Sequence, residues 1–196
     1  MMSRHSVLAC LVSCLSPGDV VISTLGYTSR ELHAIRLSSP TFGCFYCLGS
    51  MGLAIPVALG VSLARGTLGR TFVVEGDGAL LMNLGGLATG ARYGNGTLCA
   101  VVLDNRVYES TGGQPSHSSD LDLAALAAAS GWSATRVGSA DDLRAALLHS
   151  GSTGPPVFVA VDTEVESSQV PQRIDLEPTS IATSFQHFVR PERRAE

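Results

Sequence analysis

Short runs of consecutive apolar residues, separated by longer stretches with helical spacing, restrict the fold of this chain more than any other feature. A run that is apolar throughout predicts a strand buried on both faces, because a half-buried strand would alternate apolar and polar residues. Such strands, joined by helices of ten or more residues, indicate parallel βαβ units. Strands are predicted at residues 20–23, 71–74, 98–103 and 157–161, and residues 134–137 (Ala-Thr-Arg-Val) are predicted to be extended.

The intervening stretches place helices on both sides of the predicted sheet. Helical spacing marks residues 52–65, 79–93, 121–129 and 140–149, and a further helix opens at 29–33. Pro56 falls in the first turn of its helix, where a missing N–H costs little. We therefore predict an α/β fold with a doubly wound, mostly parallel sheet. One domain is expected over 1–165, followed by a polar tail over 166–196 that contains Pro171, Pro178 and Pro191 and wraps the domain or a partner.

The composition excludes several classes of protein. Charged residues make up only 15% of the 196 and apolar residues 45%, so a disordered or nucleic-acid-coating protein is ruled out. The net charge of −4 is too small to indicate a polyanionic partner. No apolar stretch approaches the length of a membrane span. Low charge combined with 21 glycines fits a surface that a partner subunit covers.

The five cysteines fit a reducing compartment, and a cytoplasmic location is expected. An odd number is unlike a disulfide framework. Cys44 and Cys47 form a C-x-x-C pair, but zinc usually needs four ligands and no second pair follows, which favours buried apolar thiols. The apolar run 7–12 after Arg4 is interpreted as an opening amphipathic helix; a secretory signal is the less favoured alternative, because no small-residue cleavage pattern follows.

Polar and glycine-rich segments follow three of the predicted strands, at the edge where doubly wound sheets bind ligands. They are residues 26–28 (Gly-Tyr-Thr), 76–78 (Gly-Asp-Gly) and 104–105 (Asp-Asn). Gly-Asp-Gly between a buried strand and a helix leaves backbone N–H groups free at the positive helix end, which suits an anion. The carboxylate of Asp77 beside that anion would be repelled unless a divalent cation lay between them.

The spacing of Asp77 and Asn105 predicts that cation. They are 28 residues apart, about the length of a loop, a helix and a strand, so we expect them on adjacent strand ends. Carboxylate, amide, carbonyl and phosphate oxygens with a water complete the octahedral shell of Mg²⁺. Taken singly, each motif is more often a plain turn or a cap. Their paired spacing favours a metal–diphosphate site.

At this point the sequence resembles a known family. The segments 76–78 and 104–105 are similar to the thiamine-diphosphate motif of 2-keto acid decarboxylases and their relatives. Four further segments carry the same resemblance, and they look like the diphosphate-binding (PP-type) half of phosphonopyruvate and sulfopyruvate decarboxylases: TLGYTSREL (24–32), FYCLGSMG (45–52), DGALLMNLGGLAT (77–89) and STGGQP (110–115). The resemblance spans roughly residues 15–165.

The resemblance implies roles for individual residues. Asp77, Asn105 and the carbonyl of Val107 would hold Mg²⁺. The carbonyl of Gly49 would accept a hydrogen bond from the pyrimidine amino group, and Met51 would wedge beneath the cofactor and hold it bent, although a core methionine is the plainer interpretation. The remaining positions expected to contact thiamine diphosphate are Gly26, Tyr27, Thr28, Ser50, Gly76, Gly78, Ala79 and Tyr108.

Loop residues after Asn105 are candidates for substrate contacts or proton delivery. Ser110 and Thr111 are expected to face the substrate, and His117 is a candidate general acid, with a surface-loop histidine as the equal alternative. Tyr108, Glu109 and Gln114 belong to the same group of candidates. Arg106 departs from the family, which commonly has glycine there. If that position required a positive φ, arginine would cost about 1 kcal/mol, and its side chain could instead face an acidic substrate or a neighbouring chain.

The family also requires a glutamate that activates the cofactor from a separate pyrimidine-binding domain. Glu31, Glu75 and Glu109 do not stand where the family places it. The resemblance therefore implies half an active site, completed by an α-type subunit in a hetero-oligomer without nucleic acid or membrane. The implied reaction is decarboxylation of a small 2-keto acid, phosphonopyruvate or sulfopyruvate. Two alternatives stay open: a carboligase that forms acyloins with the same cofactor, and a non-catalytic scaffold or regulatory subunit. A nicotinamide-binding domain is disfavoured, because no Gly-x-Gly-x-x-Gly follows the first strand.

Overall fold

A parallel six-stranded sheet forms the centre of the protein. The computed structural model describes residues 1–151, 153–166 and 171–190, so Pro191 lies outside the described residues. The strands are β1 (Val20–Ser23), β2 (Gly43–Tyr46), β3 (Thr71–Gly76), β4 (Leu98–Asp104), β5 (Val107–Tyr108), β6 (Gln114–Pro115), β7 (Ser133–Val137) and β8 (Val157–Asp162). The central sheet has the order β2-β1-β3-β4-β8-β7 with every pair parallel, and β5 and β6 form a small antiparallel hairpin.

Helices cover both faces of this sheet, as the sequence predicted. They are α1 (Arg4–Ser13), α2 (Tyr27–Ser38), α3 (Ala54–Arg65), α4 (Asp77–Leu81), α5 (Gly85–Tyr93), α6 (Leu123–Ser130), α7 (Ala140–Leu148) and α8 (Pro178–Val189). Helices α1, α2 and α7 contribute to one apolar core, and α3, α5 and α6 to the other. The doubly wound α/β prediction is therefore confirmed.

The two cores exist because successive strand residues face opposite sides. In β3, Phe72 and Val74 enter the core beneath α1, α2 and α7, whereas Val73 enters the core beneath α3 and α5. Strand β4 ends one residue beyond the end of β3, because Gly76, the last residue of β3, pairs with Leu103. That register sets the residues following each strand side by side.

Three predictions about elements were wrong or incomplete. The helix expected over 79–93 is divided into α4 and α5, because the turn between them is held by a tertiary contact: the side-chain amide of Asn83 donates to the carbonyl of Gly52 at 3.0 Å. Strand β2 was not predicted. Helix α8 was not predicted either; it lies within the proposed tail and buries Ile181 and Phe185 at the β2 edge.

The N-terminal segment is part of the fold. Ser3 caps α1 by accepting the N–H of Ser6 at 3.0 Å, and Met2 forms an isolated parallel bridge with Thr163 beyond the end of β8. All five cysteines are buried and free, as expected for apolar thiols. In the part of the chain that the structure describes, no helix combines the length and apolar character needed to cross a bilayer.

Candidate functional site

One cavity opens at the carboxyl ends of β1, β3 and β4. Helix α2 leaves β1 toward one face of the sheet, and α4 with α5 leaves β3 toward the other. This switch point is where doubly wound sheets bind ligands. The cavity is lined by Arg4, Thr24, Leu25, Gly26, Tyr27, Thr28, Met51, Gly76, Asp77, Gly78, Ala79, Leu103, Asn105, Val107, Tyr108, Glu109, Ser110, Thr111 and Thr163.

Asp77 is the buried carboxylate of the cavity. It is 2% exposed, because it is the first residue of α4 and directly follows β3. Its Oδ2 accepts hydrogen bonds from the hydroxyls of Ser116 and Ser118, the latter at 2.9 Å. Burial raises the pKa of Asp77 and Asp104 raises it further, while the two serine hydroxyls oppose the rise. The serines fix one oxygen of Asp77.

The loop after β4 packs directly on the Gly-Asp-Gly turn. The Tyr108 ring lies against Gly78 so closely that a Cβ at position 78 would overlap it. The Tyr108 hydroxyl donates to the Gly78 carbonyl at 3.4 Å. Glycine is needed at position 78 because any side chain would push this loop away from α4.

Asn105 has both ends of its amide engaged. Its Oδ1 accepts the N–H of Val107 at 3.1 Å, and its Nδ2 donates to Oε2 of Glu109 at 2.8 Å. The next residue, Arg106, has φ 67°, so the position does adopt the left-handed conformation that glycine favours. The Arg106 side chain lies 3.9 Å from Asp162 and does not line the cavity, so the structure gives no support to a contact with a substrate there, and a contact with a neighbouring chain stays a prediction.

Two helices begin at the cavity without a side-chain cap. Helix α2 starts after Gly26, which has φ 85°, and α4 starts after Gly76. Because both N-cap residues are glycines, they offer no side-chain oxygen to the first N–H groups of these helices. Two uncapped N-termini at one cavity make a surface that attracts an anion.

The donor set at the cavity suits a hard divalent cation. Asp77 offers a carboxylate, Asn105 an amide oxygen and Val107 a backbone carbonyl, and all three residues line the same cavity. Oxygen donors of this kind bind Mg²⁺, with the remaining positions left for phosphate and water. Among the described residues, no group of three or more His, Cys, Asp and Glu side chains could hold a metal, so a zinc-type site is not present there.

Most of the predicted site residues meet at this cavity, and four do not. Gly49, Ser50, Gln114 and His117 are absent from its lining, although Met51, next in the chain to Ser50, is part of it. His117 is exposed, with φ 68°, so the structure gives no support to its role as a general acid. The predicted residues that do line the cavity are Gly26, Tyr27, Thr28, Met51, Gly76, Asp77, Gly78, Ala79, Asn105, Val107, Tyr108, Ser110 and Thr111.

The polar partners behind these residues were not predicted. Ser116 and Ser118, which bind Asp77, carry no motif beyond their place in the loop after β4. Arg4 lines the cavity from the opposite end of the chain, and no spacing pattern links it to Glu109. Glu75 is 1% exposed, accepts a backbone hydrogen bond from Ala54, and burial raises its pKa to about 7.

Comparison with known proteins settles the family. Residues 26–161 match the family model described as thiamine pyrophosphate enzyme, C-terminal TPP binding domain. The chain belongs to the thiamine pyrophosphate enzymes. The matched range begins at Gly26, the residue before α2, and ends in β8, so it includes the elements that form the cavity except α1 and β1.

Two curated relatives of this thiamine pyrophosphate enzyme domain differ in length. The chain is 40% identical over 187 residues to phosphonopyruvate decarboxylase of Streptomyces hygroscopicus, covering 95% of itself and 45% of that protein. It is 42% identical over 174 residues to sulfopyruvate decarboxylase subunit beta of Methanothermobacter thermautotrophicus, covering 88% of each. The chain thus spans less than half of the first relative and most of the second.

A solved structure shares the fold of this domain. Benzoylformate decarboxylase from Polynucleobacter necessarius superposes with a TM-score of 0.70 at 22% identity. The match covers 86% of this chain and 34% of that one. At this identity the likeness is one of fold, and it agrees with the doubly wound sheet described above.

Proposed function

We propose that this chain is the β-type subunit of a thiamine-diphosphate-dependent 2-keto acid decarboxylase that acts on phosphonopyruvate or sulfopyruvate. The observation that carries the proposal is the meeting of Asp77, Asn105 and Val107 with two uncapped helix N-termini in one cavity. The names of the two curated relatives support the choice of substrates. The five buried free thiols support a reducing, cytoplasmic location.

The same residues define how the cofactor would be held. Asp77, Asn105 and the Val107 carbonyl would bind Mg²⁺, and the N–H groups at residues 26–28 and 78–79 would bind the diphosphate. Met51, which lines the cavity, would support the cofactor from below, and the Gly49 carbonyl would accept from its pyrimidine. Thiamine diphosphate, when bound, supplies the sink for the electron pair that carbon dioxide leaves behind.

The substrate would bind between the cofactor and the loop after β5. Ser110 and Thr111 line the cavity, and the Ser110 hydroxyl lies beside Gly26, where it is 3.6 Å from the place a Cβ would take. Hydroxyl donors at this place suit the phosphonate or sulfonate oxygens of either substrate. We therefore assign these two residues to orienting the substrate.

A partner subunit would complete the site. Leu48 and Leu53 flank the loop that contains Met51. Met82 and Leu84 lie on the neighbouring turn, which the Asn83 side chain connects to that loop. The side chains of these three leucines and of Met82 are exposed. An apolar patch beside a cavity suits burial against another protein. This patch supports an α-type subunit that brings the pyrimidine-binding domain and the activating glutamate, in a hetero-oligomer.

The domain boundaries belong to the same proposal. We assign residues 1–165 to diphosphate and Mg²⁺ binding, and 166–196 to a tail that covers the domain or the partner. The burial of Ile181 and Phe185 of α8 at the β2 edge supports a tail that lies along its own domain.

The test is a reconstituted reaction. The chain, purified with the subunit that copurifies with it, is incubated with thiamine diphosphate, Mg²⁺ and either sulfopyruvate or phosphonopyruvate, and released carbon dioxide is measured. We expect release with one of the two acids and its loss in Asp77→Ala. A parallel reaction with an acceptor aldehyde separates decarboxylation from ligation. An acyloin as main product would overturn the proposed reaction, and failure to bind the cofactor would favour a scaffold.

A further inference from the structure

Glu109 lies at the centre of a buried polar chain that ends on Asn105. Its side chain is 9% exposed, and Oε2 accepts from Asn105 Nδ2 at 2.8 Å and from Arg4 Nη1 at 2.9 Å. Its Oε1 accepts the backbone N–H of Glu166 at 3.1 Å. Both oxygens are therefore engaged, and the carboxylate is held in one orientation.

Arg4 anchors this carboxylate from the N-terminal helix. Its side chain is 6% exposed, and its Nε donates to Oε2 of Glu31 at 2.6 Å while Nη1 donates to Glu109. A third carboxylate, Glu166, lies 3.6 Å from Nη2. A planar guanidinium that binds several acceptors in a fixed fork holds each of them in place.

Two contacts set the orientation of the Asn105 amide: the Val107 N–H at its oxygen and the Glu109 carboxylate at its nitrogen. An ionised carboxylate only accepts hydrogen bonds, so the group of Asn105 that faces Glu109 must be the NH₂ end. The oxygen must then lie on the other side. With a group at position 109 that both donates and accepts, only the Val107 N–H, 3.1 Å from Oδ1, would oppose turning the amide over to present NH₂, which repels a cation.

We propose that Glu109 is a positioning residue that orients the side-chain oxygen of Asn105 toward the Mg²⁺ site, with Arg4 as its anchor. This inference rests on the proposed function, because that function places the metal at Asn105. It extends the cofactor machinery to α1, which lies outside the range that matches the family model.

The test compares Mg²⁺ requirements. Binding of thiamine diphosphate is measured by isothermal titration calorimetry at a series of Mg²⁺ concentrations, on the full chain with its copurifying subunit. Glu109→Gln keeps the size of the side chain but can also donate, and it should need about tenfold more Mg²⁺ for half-maximal binding. The matched control, Glu31→Gln, also removes a carboxylate from Arg4 without touching Asn105, and should change the requirement less than about threefold.

A second pair of variants isolates the amide. Asn105→Asp sets two carboxylates face to face in the wild-type background, but in Glu109→Gln the new amide can donate to the new carboxylate. We expect the double variant to need less Mg²⁺ than Glu109→Gln alone. If Asn105→Asp changes the Mg²⁺ requirement by the same factor in both backgrounds, residues 105 and 109 are not coupled and the inference is overturned. A difference in stability between the variants does not alter this conclusion.

The outcomes separate the two proposals. A wild-type complex that binds thiamine diphosphate equally well with Mg²⁺ and with EDTA defeats the proposed function and this inference with it. Two results defeat the inference alone when the wild-type complex requires Mg²⁺. In the first, Glu109→Gln has the same Mg²⁺ requirement as the wild type. In the second, Glu31→Gln raises the Mg²⁺ requirement as much as Glu109→Gln does. Thermal melting of each variant verifies that the chain is folded in every comparison.

Discussion

The strands of the parallel sheet all begin at one side, here called the amino edge, and all end at the other, the carboxyl edge. Each side buries an acidic side chain beside an arginine, but the two clusters have different roles. At the amino edge, Asp19 accepts the backbone N–H groups of Ser16 and Arg70 and two bonds from the Arg70 guanidinium. That guanidinium also donates to the carbonyls of Cys14 and Leu147. These contacts connect the end of α1, the turn before β1, the residue before β3 and the end of α7, so this cluster holds the chain together.

At the carboxyl edge, the comparable cluster lines a cavity. Arg4 and Glu109 connect α1 to Asn105, and Asp77 keeps one oxygen free of the two serines. Among the described residues, the non-glycine positions with positive φ are Arg106 and His117, and both follow β4 at this edge. Departures from local preference collect at functional sites. The amino edge therefore contributes stability, whereas the carboxyl edge arranges polar groups around a ligand cavity.

The largest effect should come from the amino edge. Asp19→Ala leaves the Arg70 guanidinium, whose side chain is only 16% exposed, without its acid, and should lower the free energy of unfolding by about 3–5 kcal/mol. Urea unfolding measures the loss. The exposed Asp141→Ala in the first turn of α7 serves as the control and should cost less than about 1 kcal/mol. Equal losses from the two variants would mean that the amino-edge cluster contributes nothing special.

Asp77→Ala should show the opposite behaviour. It removes a proposed metal ligand and relieves repulsion with Asp104, so thiamine diphosphate affinity at fixed Mg²⁺ should fall at least about 100-fold with little change in unfolding free energy. Calorimetric titration and urea unfolding measure the two quantities. Asp120→Ala, an exposed aspartate beyond the hairpin, should alter neither. A drop in stability like that of Asp19→Ala would erase the distinction between the edges.

Ser118→Ala tests the polar link behind Asp77. Its hydroxyl contacts Asp77 at 2.9 Å and Asp104 at 2.6 Å, and removing it should cost about 2 kcal/mol of unfolding free energy, because buried carboxylates lose a partner. The adjacent exposed Ser119→Ala should stay within about 0.5 kcal/mol of the wild type. If both serine variants unfold like the wild type, the link has no energetic role.

The smallest effect concerns backbone strain at the carboxyl edge. Arg106→Gly should raise the free energy of unfolding by about 0.5–1 kcal/mol, because glycine accepts φ 67° without the cost that arginine bears. Its exposed ion pair with Asp162, at 3.9 Å, is worth little. Arg92→Gly, within α5, should instead lower stability by about 1 kcal/mol. A loss of stability in Arg106→Gly would contradict the account of this position.

The sequence predicted the features that depend on local pattern. Apolar runs located the strands at 20–23, 71–74, 98–103 and 157–161, and glycine and polar residues at strand ends located Asp77 and Asn105. Strand β2 escaped because it is only four residues long and carries a glycine and a cysteine. Helix α8 had usable signals, a proline at its start and an apolar spacing through Ile181 and Phe185, that the polar surroundings obscured.

Features that depend on contacts distant in sequence could not be predicted. The break between α4 and α5 depends on Asn83 meeting Gly52, and the environment of Asn105 depends on Arg4 reaching Glu109 across 105 residues. No periodicity records such pairs. The sheet brings these residues together because its parallel strands all end at the same side. Sequence spacing predicts that the strand ends are neighbours, but it does not predict which residues beyond them are in contact.

The central claim is that a divalent ion at Asp77 and Asn105 fixes a diphosphate to this fold. Its most direct measurement is a crystal structure of the assembled complex grown with thiamine diphosphate and Mn²⁺ in place of Mg²⁺, in which anomalous scattering locates the ion. We expect one peak with oxygens of Asp77, Asn105 and the Val107 carbonyl at about 2.1 Å. A peak elsewhere, or these side chains turned away from it, would contradict the account.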